Sequence, residues 1–197
     1  MNRSALGIRM HSGWGVVVAV SGDVNSIEVI DRRRIVTMDS SMPGAKQPYH
    51  FAANLAAAES EGYLARCAVN SERLSLAAIK EIVRDLEIRQ YYIAGCALML
   101  ASGRPLPILS KILSSHPLIH SAEGQFFRDG VRKACERLKI PVAAIPERQV
   151  EERARKIFGK GFNEVQSNLS SIGKSLRPPW TKDHKTAALA AEILLAT

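Results

Sequence analysis

The residues best suited to chemistry near the start of the chain lie in and beside a tight turn. Arg9, His11 and Ser12 lead into Gly13 and Trp14. Guanidinium, imidazole and hydroxyl groups, together with the free N–H groups of a tight turn, all bind anions, so this segment is a candidate phosphate site. The same residues also fit a plain hairpin turn with Trp14 packed over it. Both interpretations remain open from the sequence.

Three further residues extend this candidate site. Asp183 and Lys185 begin the last helical pattern of the chain, and Arg104 follows an apolar run at 91–100. Because α/β proteins carry ligand loops at the carboxyl ends of their strands, we expect Arg104 at such an edge. Arg9, Arg104 and Lys185 would then form a basic pocket, with Asp183 as the acid of the cleft.

A second set of residues has the spacing of metal ligands on a helix. His116, His120 and Glu123 follow the pattern His-x3-His-x2-Glu, a spacing that could serve a metal or catalytic site. Pro117 stands between the two histidines and predicts that His116 lies just outside the helix. We therefore favour a polar loop and helix start over a metal or catalytic site and predict no metal. His50, at the entry from a loop into a helix, is a weak site candidate.

Composition predicts one ordinary globular domain. The chain has 197 residues, of which 46% are hydrophobic and 23% charged, enough for a full core over residues 1–197. No apolar run reaches the length of a membrane span, and no signal peptide is apparent. Cys67, Cys96 and Cys135 are too far apart for a metal motif. Buried free thiols and a cytoplasmic location are the expectation.

The charge balance favours anionic partners. The net charge is +8 and the isoelectric point is near 9.7, as in many proteins that bind nucleic acid or other phosphate-bearing ligands. An inert basic surface would have the same composition. The run at 32–34, three arginines, fits either a solvated sheet edge or a phosphate contact surface, and we slightly favour the edge.

Hydrophobic periodicity predicts a mixed α/β fold. Two strands flank the first turn within 5–20, a third covers 26–38, and 91–100 is apolar enough to be a central strand. A helical pattern runs over 51–86, with a kink or break expected at Gly62 or at Asn70-Ser71. The remaining expected elements are a helix over 121–139 with Ser121 as its N-cap, a strand at 140–145, and helices at 149–158, 162–175 and 182–196.

The opening hairpin at 6–18 and the closing small-residue helix at 182–191 together resemble the ribonuclease H-like fold. Within that fold they resemble the Holliday-junction resolvases. The resemblance implies a mixed five-stranded sheet flanked by helices. It also implies up to four carboxylates that hold two divalent ions: an aspartate in the middle of the first strand, a glutamate at the end of the fourth, and one or two acids on the last helix.

Most of these carboxylates are missing here. The first-strand aspartate falls at Arg9, the fourth-strand glutamate near Gly95-Cys96, and the last-helix acids at Asp183 and Thr186. Only Asp183 keeps the carboxylate that such a magnesium site requires. We therefore expect no two-metal nuclease site, and we expect an ion pair between Arg9 and Asp183 in its place.

The sequence thus favours a non-catalytic relative of these nucleases that binds nucleic acid or another phosphate-bearing partner, without a cofactor or a membrane. One alternative is an enzyme of altered chemistry, an atypical nuclease or phosphate-ester hydrolase, in the same cleft. Another is an interaction scaffold without a ligand. Assembly into a homo-oligomer is left open.

Overall fold

Five strands form a single mixed sheet in the computed structural model, which describes residues 1–23, 26–100 and 105–197. The order across the sheet is β3-β2-β1-β4-β5. β1 and β2, and β2 and β3, pair antiparallel, whereas β1 and β4, and β4 and β5, pair parallel. The predicted α/β fold class is confirmed. The strands are β1 (Asn2–His11), β2 (Trp14–Ser21), β3 (Glu28–Val36), β4 (Tyr91–Leu100) and β5 (Val142–Pro146).

The first hairpin forms as the sequence predicts. His11 pairs with Trp14 at its end, and Gly13 in the turn has a φ of 78°, a conformation that favours glycine. β3 adds to the hairpin as an edge strand, and β4 lies parallel to β1, with strands on both sides. The expectations of a three-stranded antiparallel meander and of an internal strand at 91–100 are therefore confirmed.

Helices cover both faces of the sheet. None of those in the described part of the chain is long and apolar enough to cross a membrane. That residues 1–197 form one domain stays a prediction. The helices are α1 (Pro48–Ala52), α2 (Ala57–Ile88), α3 (Leu109–Leu113), α4 (His116–Arg137), α5 (Val150–Phe158), α6 (Phe162–Ser175) and α7 (Lys182–Leu195).

Two expectations about the helices are wrong. α2 runs unbroken for 32 residues through Gly62 and Asn70-Ser71, because its buried face packs along α4 and outweighs local propensity. α4 begins at His116 rather than after Ser121. Pro117 fits the first turn of a helix, where no N–H donor is needed, so it does not exclude His116 from α4.

Alternation along β1 divides its side chains between two cores. Leu6 and Ile8 lie in the core that α2 and α4 cover, whereas Ala5 lies in the core under α7. Arg9 faces the α7 side as well, because its side chain bonds to Asp183 of that helix. The odd-numbered positions of β1 thus point toward α7.

α7 lies directly against the backbone of β1 at Gly7. A Cβ atom at this glycine would stand only 1.8 Å from the carbonyl oxygen of Ala187. Ala187, like the neighbouring alanines of α7, is fully buried. At the far end of the same helix, Nη1 of Arg3 donates to the carbonyl oxygen of Leu195 at 2.8 Å. α7 therefore runs antiparallel to β1, with its N-terminus near Arg9.

We expect Gly7→Ala to destabilise the protein by about 3 kcal/mol or more, because α7 would have to move off the sheet. Chemical denaturation measures the loss. Gly62→Ala is the matched control: Gly62 is exposed, and an added Cβ meets only Arg66 Nη1 at 3.5 Å. It should stabilise α2 by about 0.5–1 kcal/mol. Equal effects at the two sites would contradict the close packing at Gly7.

Glu192 is an acidic residue on the buried face of α7. Its exposure is 2%, and Oε1 has no hydrogen-bond partner among the described residues. Burial, with a smaller contribution from Asp23, raises the pKa of Glu192 from 4.5 to about 8. The folded protein therefore keeps a proton on Glu192 that the unfolded chain releases.

The contribution of Glu192 to the free energy of unfolding should fall as pH rises from about 4.5 to about 8, because the folded state binds the extra proton across this window. Glu192→Gln removes that dependence. Its free energy of unfolding should exceed that of the wild type increasingly through the window, by up to a few kcal/mol. Denaturation at a series of pH values tests this, and a constant difference between the two proteins would contradict it.

Candidate functional site

Arg9 joins two carboxylates at the carboxyl edge of the sheet. Its Nη1 donates to Asp183 Oδ1 at 2.6 Å, and its Nε and Nη2 donate to Glu147 Oε1 at 3.1 and 2.9 Å. The side chains of Arg9 and Asp183 are each 24% exposed. The expected ion pair between Arg9 and Asp183 is confirmed, and Glu147 is an additional partner.

His11 completes this group of charged side chains. Its Nε2 lies 2.8 Å from Asp183 Oδ2 and 3.1 Å from Arg9 Nη1. The imidazole stacks on Trp14, with ring centroids 4.1 Å apart and planes 10° from parallel. The Arg34 guanidinium lies 4.3 Å from the centroid of the Trp14 ring. His11 is thus held by its carboxylate partner and by an aromatic surface.

Local structure explains why these side chains meet. Arg9 and His11 are two residues apart on β1 and share the face toward α7. Asp183 lies in the first turn of α7, which a capping box of Thr181 and His184 begins. Burial, and to a smaller extent the charge of Arg32, lowers the pKa of His184 and so favours its neutral form. The neutral form is the one in which Nδ1 can accept a hydrogen bond from the backbone N–H of Thr181, at 3.2 Å.

The run at 32–34 divides between the two faces of edge strand β3. Arg32 bonds to the carbonyl oxygens of Arg177 and Pro179, just before α7. Arg33 pairs with Asp85 of α2 on the other face, at 3.0 Å. The arginines of the run therefore lie on an edge strand and also contact α2 and the segment that leads into α7.

Arg128 is a half-buried cation that sequence patterns did not single out. It lies on α4, and its Nε donates to the carbonyl oxygen of Met99 at 2.7 Å. Burial lowers the pKa of Arg128, Glu147 opposes this effect, and the positive charge of Arg9 adds to it. Glu147 could have been selected from the sequence, because it directly follows a strand, whereas an arginine inside a helix carries no such signal.

A cavity of about 920 Å³ opens beside the Arg9 group. Glu147 belongs to both the Arg9 group and the cavity wall. The wall also carries three cations, Arg148, Lys182 and Lys185, and one further carboxylate, Glu151. Within the described ranges none of these three cations has an ion pair. The wall therefore offers positive charge that no protein carboxylate neutralises by direct contact.

The predicted anion-binding residues are only partly brought together. Arg9 and His11 share the carboxylate of Asp183, and Lys185 lines the neighbouring cavity. Ser12 is exposed in the hairpin turn. Arg104 lies outside the described residues, so the pocket expected between Arg9, Arg104 and Lys185 stays a prediction.

The carboxylates do not fit a two-metal centre. Ile8 pairs with Leu98, so the next residue of each strand, Arg9 and Met99, lie at the same level of the sheet. Gly95 and Cys96, the positions named for the fourth-strand glutamate, pair with Ala5 and Leu6, lower on the same two strands. Met99 is fully buried and apolar, so neither level of β4 places an acid beside Arg9. Asp183 and Glu147, the carboxylates that meet at this edge, are both bonded to Arg9.

The second candidate group is assembled differently from the sequence expectation. His116 and His120 lie close to His50, and one ligand atom from each of the three lies within 4.8 Å of the others. Glu123 instead accepts a hydrogen bond from His50 Nδ1 at 2.9 Å. His50, regarded as a weak candidate, takes the place expected for Glu123.

Comparison with solved structures identifies the architecture. Thermus thermophilus RuvC superposes with a TM-score of 0.53, and the same protein in complex with a Holliday junction substrate with 0.54. In both cases the match covers 98% of this chain and 93% of RuvC at 12% sequence identity. The fold is ribonuclease H-like. No protein-family model matches the chain, and no curated protein matches it in sequence.

Removing Arg9 from this ribonuclease H-like fold should leave Asp183 and Glu147 without their shared cation. We expect Arg9→Met to destabilise the protein by about 2 kcal/mol, less than a fully buried pair because solvent reaches the site. Chemical denaturation measures the change. The control is Arg132→Met, which breaks more exposed pairs to Asp129 and Glu136 on α4 and should cost less than about 1 kcal/mol. A smaller loss at Arg9 than at Arg132 would contradict the assignment.

Proposed function

We propose that this protein binds nucleic acid, or another phosphate-bearing ligand, at the basic cavity and does not cleave it by two-metal chemistry. The observation that carries the proposal is the Arg9 guanidinium bonded to both Asp183 and Glu147. A fixed cation at this point repels divalent metal ions and occupies one oxygen of each carboxylate that would coordinate them.

In this proposal Arg9 organises the site and does not itself hold the ligand. Its charge is balanced by two carboxylates within hydrogen-bond distance, so a phosphate would have to displace one of them. Ligand binding falls instead to Arg148, Lys182 and Lys185 on the cavity wall. The net charge of +8 attracts a polyanion from a distance and makes binding sensitive to salt.

Branched DNA is the first ligand to test, since RuvC of the same fold has been solved with a Holliday junction. A titration with fluorescent four-way junction, duplex and single-stranded DNA of one length measures the preference among shapes. We expect affinity to fall steeply between low and physiological salt, because each neutralised phosphate releases counterions.

The double substitution Lys182→Ala and Lys185→Ala should weaken DNA binding and reduce the salt slope by about two. Both lysines lie at the positive end of α7, so their removal should not destabilise that helix. Arg66→Ala with Lys80→Ala is the control: it removes the same charge from exposed positions of α2. An equal loss in both proteins would mean that net charge, not the cavity, determines binding.

The same DNA mixtures with magnesium or manganese test the absence of cleavage. We expect every substrate to stay intact. Cleavage that disappears in Asp183→Asn would overturn the proposal and favour an enzyme of altered chemistry. Failure to bind any DNA at low salt would overturn the nucleic-acid assignment and favour a smaller phosphate-bearing ligand or a scaffold role.

A further inference from the structure

A cluster of three histidines stands outside the Arg9 group. His116 and His120 are one turn apart on α4, and their ring centroids are 4.4 Å apart. His50 comes from α1, and its ring centroid lies 5.2 and 4.7 Å from those of His116 and His120. Ligand atoms from all three fall within 4.8 Å of one another. Three of the chain's five histidines are thus gathered at one point.

Glu123 fixes the orientation of His50. The Glu123 side chain is 7% exposed, and its Oε1 accepts hydrogen bonds from the backbone N–H of His50 at 3.2 Å and from His50 Nδ1 at 2.9 Å. Because a carboxylate only accepts, Nδ1 carries the proton and Nε2 carries the free lone pair. Carboxylate partners of this kind orient and strengthen histidine ligands in metal sites.

We propose that His50, His116 and His120 bind a divalent transition-metal ion, with zinc as the ion of choice, and that Glu123 is the positioning residue for His50. Three imidazole nitrogens and one open position are a common zinc arrangement, and nitrogen ligands disfavour magnesium and calcium. Nitrogens bound tetrahedrally to zinc stand about 3.4 Å apart. His116 and His120 are exposed, so rotation of their side chains closes the remaining distance.

The proposed zinc site does not depend on the proposed function. Its ligands are separate from the Arg9 group, and zinc binding is measurable without nucleic acid. The site still adjoins the cavity, because His120 lines the cavity wall together with Glu147 and Lys185. The three cysteines are buried and therefore do not compete for an added ion.

The test uses tag-free protein stripped of metal with a chelator and titrated with zinc in a calorimeter. We expect one zinc ion per chain. His116→Ala and His120→Ala should each weaken zinc affinity by about 100-fold or more, whereas His11→Asn, which also leaves four histidines, should not change it. Cobalt should give the intense visible absorption of a tetrahedral complex, and magnesium should not compete.

Glu123→Gln separates positioning from structural support. The amide oxygen still accepts hydrogen bonds, but the negative charge is lost, so zinc affinity should fall by about 10- to 100-fold. A structural role alone would lower the melting temperature of the zinc-free protein and leave zinc affinity unchanged. No zinc binding by the wild type, or binding undiminished in His116→Ala and His120→Ala, would overturn the proposal.

Discussion

The contact between Gly7 and the backbone of Ala187 is the constraint on which the site depends. Without a side chain at Gly7, α7 approaches β1 closely enough for a backbone carbonyl to occupy the space of a Cβ atom. The buried alanines of α7 extend this approach along the helix. As a result, Asp183 in the first turn of α7 comes within hydrogen-bond distance of Arg9, which lies two residues after Gly7 on β1. A bulkier residue at either contact would separate the charged groups.

Charge balance at the sheet edge follows from this placement. Nucleases of the ribonuclease H-like fold gather several carboxylates at one site, and bound divalent ions relieve the repulsion between them. Here the guanidinium of Arg9 relieves the repulsion between Asp183 and Glu147 by direct hydrogen bonds. A guanidinium stays charged at any physiological pH and offers no open coordination position. It therefore preserves the geometry of the edge without supplying an ion that could activate water.

The sequence predicted features that depend on local pattern or on the family resemblance. The hairpin around Gly13 and the apolar strand β4 follow from turn chemistry and alternation. The pairing of Arg9 with Asp183 followed from the resemblance of this chain to the ribonuclease H-like fold. Continuity of α2 did not follow, because packing against α4 overrides the local signal at Gly62. The α4 start was missed because Pro117 suits a first turn as well as a loop.

Features that depend on distant chain segments were the hardest to predict. His50 lies more than sixty residues from His116, and no spacing rule connects them. Glu147 reaches Arg9 only because β5 lies beside β4 in the sheet. Met99 lies beside Arg9 because of the register between β1 and β4. The sequence of β4 does not specify this register, because apolar residues occupy both of its faces. Tertiary pairing, rather than residue type, determined each of these.

The most direct test of the account is a crystal structure of the protein soaked in manganese and phosphate, with anomalous diffraction recorded for manganese. The account predicts that Arg9 stays bonded to Asp183 and Glu147 with no manganese between them, and that phosphate lies against Lys182 and Lys185. A manganese ion coordinated by Asp183 and Glu147, with Arg9 displaced, would contradict it.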